Sequence, residues 1–63
     1  MIKVGDKVKV RDQDIWGVVV EHSSGSRLVI EETDSEYEAP DNRLEYPESD
    51  LEVVPNNVRE ETK

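Results

Sequence analysis

Ile15-Trp16-Gly17-Val18-Val19-Val20-Glu21, then His22-Ser23-Ser24-Gly25-Ser26, then Arg27-Leu28-Val29-Ile30-Glu31-Glu32: this stretch decides the fold. Its two flanks are rich in β-branched and aromatic residues, which suit a pleated, half-buried surface. Its middle is a serine–glycine loop, the composition of a chain reversal. Together they predict a hairpin with strands over residues 15–21 and 27–32. In the returning strand Leu28 and Ile30 share one face, and Arg27, Val29 and Glu31 share the other. Gly17 inside a strand predicts a bulge or a close backbone approach, both common where a strand bends around a small barrel.

Working outward toward the N-terminus, Val4, Val8 and Val10 alternate with Lys3, Lys7, Lys9 and Arg11, the period-two pattern of a half-buried strand. Gly5-Asp6 interrupts it as a turn, so the first strand is expected over residues 7–11, followed by the polar loop Asp12-Gln13-Asp14. Toward the C-terminus, residues 33–42 are polar and acidic and read as an exposed loop, with a short extended piece around Tyr37. Residues 43–46 form a fourth strand, which Pro47 ends because it lacks a donor N–H. Pro47-Glu48-Ser49-Asp50 has the composition of a single helical turn, and residues 51–54 form a last short strand before Pro55. The expected organisation is one all-β domain over residues 1–55 and a frayed, polar tail over residues 56–63. The core is predicted to comprise Val4, Val8, Val10, Trp16, Val18, Val20, Leu28, Ile30, Leu44, Leu51 and Val53.

Size and composition narrow the function classes. A chain of 63 residues has room for one small core. It has no cysteine, which removes disulfides, thiolate metal sites and cysteine nucleophiles together. Residues 1–7 lack the apolar core of a signal peptide, and no apolar run approaches the ~20 residues that cross a bilayer. A soluble cytoplasmic protein without membrane contact is expected. The net charge of −8 is unevenly spread. Residues 1–30 carry five basic side chains against four acids, whereas residues 31–63 carry twelve acids against Arg43, Arg59 and Lys63. Such a surface repels phosphate backbones and favours basic partners.

The order of features resembles the SH3-like small barrels of the KOW, Tudor and agenet kind. Val4-Gly5-Asp6-Lys7-Val8-Lys9-Val10 is similar to the segment in which a Gly-Asp turn feeds the first strand. Trp16-Gly17-Val18-Val19-Val20-Glu21 is similar to the glycine–valine strand after the first loop. Residues 44–54 run strand, helical turn, closing strand in the same order. The resemblance implies a five-stranded SH3-like barrel with one helical turn near residues 47–50. It also implies a role in binding RNA, ribosomal or polymerase proteins, or methylated tails, or as a subunit of a larger assembly. The KOW type presents basic residues near its glycine loop, where this chain has Asp12-Gln13-Asp14.

Catalysis has little to work with. His22 lies beside Ser23, Ser24 and Ser26, but a serine–histidine pair needs rigid geometry, an orienting acid and an oxyanion hole. Glu31, Glu32, Asp34, Glu36 and Glu38 read as uniformly solvated, whereas acid–base work needs one carboxyl in a desolvated setting. The segment 34–38 lacks the glycine and terminal glutamate spacing of a calcium loop. No enzyme activity, metal or cofactor is expected. The candidate partner-binding residues are Trp16, Tyr37, Tyr46, Asp34, Glu36 and Glu38. Lys3, Lys7, Lys9 and Arg11 form a candidate face for phosphates or acidic partners, or pair with acids on a neighbouring strand. The first reading is a non-enzymatic protein-interaction module or small accessory subunit with an acidic face. Its alternatives are an acidic mimic of nucleic acid that inhibits a DNA- or RNA-binding protein, and a KOW-type nucleic-acid, ribosome or polymerase binder using the basic strand.

Overall fold

In the computed structural model, which describes residues 1–55, five antiparallel strands follow one another along the chain. They are β1 (Lys7–Val10), β2 (Trp16–His22), β3 (Arg27–Glu32), β4 (Arg43–Pro47) and β5 (Leu51–Val53). A 3₁₀ turn over Glu48–Asp50 joins the last two. The predicted tail, residues 56–63, lies outside the described residues. Gly5 turns the chain into β1 at φ 97°, a conformation that suits a residue without Cβ. The Asp6 carboxylate fastens that turn by accepting the Lys3 N–H at 2.9 Å. No strand forms around Tyr37; the loop there is built of turns and bends.

The sheet order is β4-β3-β2-β1-β5. These strands and the 3₁₀ turn form the expected all-β architecture, compatible with an SH3-like small barrel. The hydrogen-bonded ladder, however, does not close into a barrel. β4 and β5 are its two edges, and the chain passes between them in a single turn. Pro47 and Leu51 are four residues apart and so lie within about 14 Å of each other even at full stretch. Four strand spacings in a flat sheet would hold the edges about 19 Å apart. The sheet must therefore curl until its edges approach, leaving a seam at the turn. Two backbone bonds pin that turn: Glu48 N–H to the Ser26 carbonyl at 2.7 Å, and Arg11 N–H to the Asp50 carbonyl at 2.8 Å.

The curled interior holds Val8, Val10, Val19, Leu28, Ile30, Leu51 and Ile2, with Ile15, Leu44 and Tyr46 packed against them. Ile2 is 6% exposed, and its N–H donates to the Glu48 carboxylate at 3.2 Å, so the N-terminal segment is tied to the seam turn. Ile2 is not among the residues expected in the core. Val4 and Val53 were expected inside but are 55% and 47% exposed. Val4 precedes the Gly5 turn, outside the sheet, and Val53 sits on an edge strand with no further strand to cover it.

In β2 the expected face is inverted. Val19 and Gly17 point inward, while Trp16 is exposed and Val18 and Val20 are half-buried. Gly17 explains the inversion. A Cβ at this position would lie 2.6 Å from the Glu31 carbonyl oxygen and 3.3 Å from Ile30 Cδ1. The residue that faces inward against the Glu31 backbone must be glycine, and this turns its neighbours Trp16 and Val18 outward. The close approach foreseen at Gly17 is thus present, but the irregularity in pairing falls further on. Val19 pairs with Ile30 and Glu21 with Val29, leaving Val20 as the extra residue.

We expect Gly17→Ala to destabilise the fold by about 1–3 kcal/mol through overpacking against β3. Val19→Ala should cost about 2 kcal/mol, and Val18→Ala less than half of that. Urea denaturation of the three variants checks the face assignment; equal losses at positions 18 and 19 would refute it.

Candidate binding site

Because Gly17 faces inward, β2 opens with an indole on the outer surface. Trp16 is paired in register with Lys9 of β1, whose ammonium lies 5.8 Å from the centre of the indole ring. That cation–π contact is worth about 0.5–1 kcal/mol at an exposed site. The indole N–H donates to Asp14 Oδ1 at 3.2 Å, and the Trp16 carbonyl accepts the Thr33 N–H at 2.8 Å. The side chain is therefore held in place yet remains 39% exposed.

Beside it lies a cleft of about 370 Å³. Gly17 and Val8 belong to its lining, together with Trp16, Lys7, Val54, Thr33 and Asp34. Val54 is placed there because its N–H continues the β1–β5 ladder by donating to the Lys7 carbonyl at 2.8 Å. Asp34 sits just after the β3 end in a left-handed conformation, φ 64°. Its carboxylate is followed by Glu36, Glu38 and Asp41 with no basic residue before Arg43. The loop carrying these acids is closed at its base by the Glu32 N–H to Asn42 carbonyl bond of 2.9 Å. It is braced within by Tyr37 N–H to Ser35 Oγ at 3.0 Å and Asp41 N–H to the Glu38 carbonyl at 2.8 Å.

Three of the sequence-predicted site residues, Trp16, Asp34 and Lys7, meet at this cleft, and Lys9 stacks on its aromatic wall. Glu36, Glu38 and Tyr37 are exposed in the adjoining loop and do not line the cleft. Tyr46 is half-buried against the core on the inner face. Lys3 is exposed ahead of the Gly5 turn, and Arg11 reaches across to Glu52 at 2.8 Å. Gly17, Thr33, Val8 and Val54 were not anticipated as site residues. Glycine in a valine-rich strand was the sole available signal among them, whereas the others are placed by pairing register.

Arg27–Glu45 at 2.9 Å and Arg43–Glu31 at 3.3 Å are further ion pairs, each joining β3 and β4. With side chains between about one third and one half exposed, such pairs add little stability. Their effect is on charge distribution: none of the three arginine pairs draws on Asp34, Glu36, Glu38 or Asp41. His22 is exposed at the far end of β2 from Trp16. Among the described residues no group of three or more histidine, aspartate or glutamate side chains is arranged to hold a metal ion, and no helix is long and apolar enough to cross a membrane. No protein family, curated protein or solved structure matches the chain.

The Glu45 carboxyl is held below the usual glutamate range, first by its hydrogen bond from the Arg27 guanidinium and then by one from the Ser23 hydroxyl. A depressed folded pKa means that the pair contributes stability above the unfolded value, and that the contribution is lost as acid carries the pH down through the folded one. Arg27→Ala should raise the Glu45 titration toward an ordinary glutamate, read by side-chain NMR. The stability difference between this variant and the parent should shrink on acidification; a difference that grew would contradict the assigned sign.

Proposed function

We propose that this chain is a non-enzymatic protein-binding domain that docks through the cleft beside Trp16. The observation that carries this reading is a large indole, fixed by Lys9 and Asp14 but left outside a core that is complete without it. Tryptophan is enriched at binding hot spots because it offers much rigid apolar area with one polar handle. A catalytic reading has weaker support. Asp34 and Lys7 are exposed at the cleft, so neither has the desolvated setting that acid–base chemistry requires, and the one histidine lies at the opposite end of β2.

We read the chain as an SH3-like barrel of the KOW, Tudor and agenet kind. The support is the Gly5 turn, the glycine–valine strand and the 3₁₀ turn before the last strand, in that order. Nucleic-acid binding through Lys7, Lys9 and Arg11 is disfavoured by the net charge of −8 and by the engagement of Arg11 with Glu52. A cysteine-free chain suits a reducing, cytoplasmic setting.

Because Trp16 lies outside the core, Trp16→Ser should leave the circular dichroism spectrum intact and the thermal midpoint within a few degrees of the parent. Used as bait in the native host, the parent chain should retain a protein partner that the variant does not. Identical retention by both baits would remove Trp16, and with it this reading.

A further inference from the structure

We infer that the cleft takes an apolar side chain from an extended basic peptide, whose lysine or arginine residues then lie along the acidic loop. This rests on the protein-binding reading above and names the chemistry of the partner. At about 370 Å³ the cleft is at the small end of the ~300–1,000 Å³ range of ligand pockets. It has room for an apolar anchoring side chain. Trp16 and Val54 supply its accessible apolar walls, while Val8 and Gly17 lie beneath them as its buried floor.

Charge complementarity selects the flanking residues of the peptide. Asp34 belongs to the cleft itself, and the chain beyond it brings Glu36 within about 7 Å and Glu38 within about 14 Å of Asp34 at full stretch. A peptide leaving the cleft on that side meets carboxylates that the three arginine pairs leave aside. The bonds that close and brace the loop hold its backbone before the peptide arrives, which lowers the ordering cost of binding. On the opposite wall, Lys9 is held by the indole ring and by the Val10 carbonyl at 3.2 Å, and Lys7 has an engagement of its own. Neither lysine is a free cation, and the acidic side sets the preference.

Trp16 is the single tryptophan of the chain, so its emission reports occupancy of the cleft. The test titrates the full chain at low salt with a lysine-rich peptide carrying one leucine, the same peptide with serine for leucine, and a glutamate-rich peptide carrying the leucine. The lysine–leucine peptide should shift the emission to shorter wavelength and saturate. Its serine counterpart should bind about tenfold more weakly, since the apolar anchor is lost. A combined Asp34→Asn, Glu36→Gln, Glu38→Gln chain should also bind the lysine–leucine peptide about tenfold more weakly and with a flatter salt dependence. Asparagine tolerates the left-handed backbone at position 34, so the thermal midpoint should be kept. Equal binding of the leucine and serine peptides would overturn insertion into the cleft. Equal binding of the acidic peptide would overturn the charge preference while leaving a protein-binding cleft in place. Emission unmoved by all three peptides would overturn the inference. The separate capture experiment with Trp16→Ser then decides whether the broader reading stands.

Discussion

The contact on which this structure depends is one that a side chain would forbid: the approach of Gly17 to the Glu31 carbonyl, where a Cβ would sit at 2.6 Å. A small sheet must curl tightly to enclose any interior, and here the inward position 17 lies hard against the backbone of β3. Glycine at that point relieves the crowding. Because side chains alternate along a strand, fixing Gly17 inward also fixes Trp16 and Val18 outward and Val19 inward. One missing methyl group therefore sets both the core contribution of β2 and the presence of an aromatic on the outer face. The fold and the candidate site are consequences of the same constraint.

The sheet stays open, and its β4 and β5 edges are brought near each other without a ladder between them. The 3₁₀ turn holds the two edges close, its ends bonded to the Ser26 and Asp50–Arg11 backbone positions, and Ile2 is drawn into the interior by the carboxylate of Glu48. Side-chain packing at the seam takes the role that strand pairing takes elsewhere in the sheet. This arrangement also accounts for short edges: β5 has three residues, and β4 ends at a proline that offers no N–H. Short, interrupted edges give a neighbouring chain little to pair with.

Much of the fold was legible in the residues because strand patterns and turn residues act locally. The β2–β3 hairpin, the Gly5 turn, the proline that ends β4 and the helical composition of residues 48–50 each declare themselves within a few positions. What was not legible depends on distant partners. Val18-Val19-Val20 has no alternation, so its inward member cannot be chosen from the run itself; the choice is made by Gly17 against β3. Ile2 looks like an ordinary terminal residue until the seam turn, 46 positions away, is brought to it. The site shows the same division. Trp16 and Asp34 stand out by residue type, whereas Val54 and Thr33 join them through backbone pairing that no composition encodes.

The charge of the molecule also acquires a structure that its total conceals. Arg11, Arg27 and Arg43 each reach a glutamate from another segment, at Glu52, Glu45 and Glu31. These pairs neutralise the surface of the sheet locally. The loop between Thr33 and Asn42 contains acids and no base, so repulsion there is uncompensated within the loop itself. If negative charge served solubility alone, any exposed position would do, and dispersal would minimise self-repulsion. Placing four acids on a braced loop that begins at the cleft, beside a fixed indole, adds electrostatic cost without adding packing. The proposed basic partner would relieve that repulsion on binding, most effectively beside the place where an apolar anchor can be held.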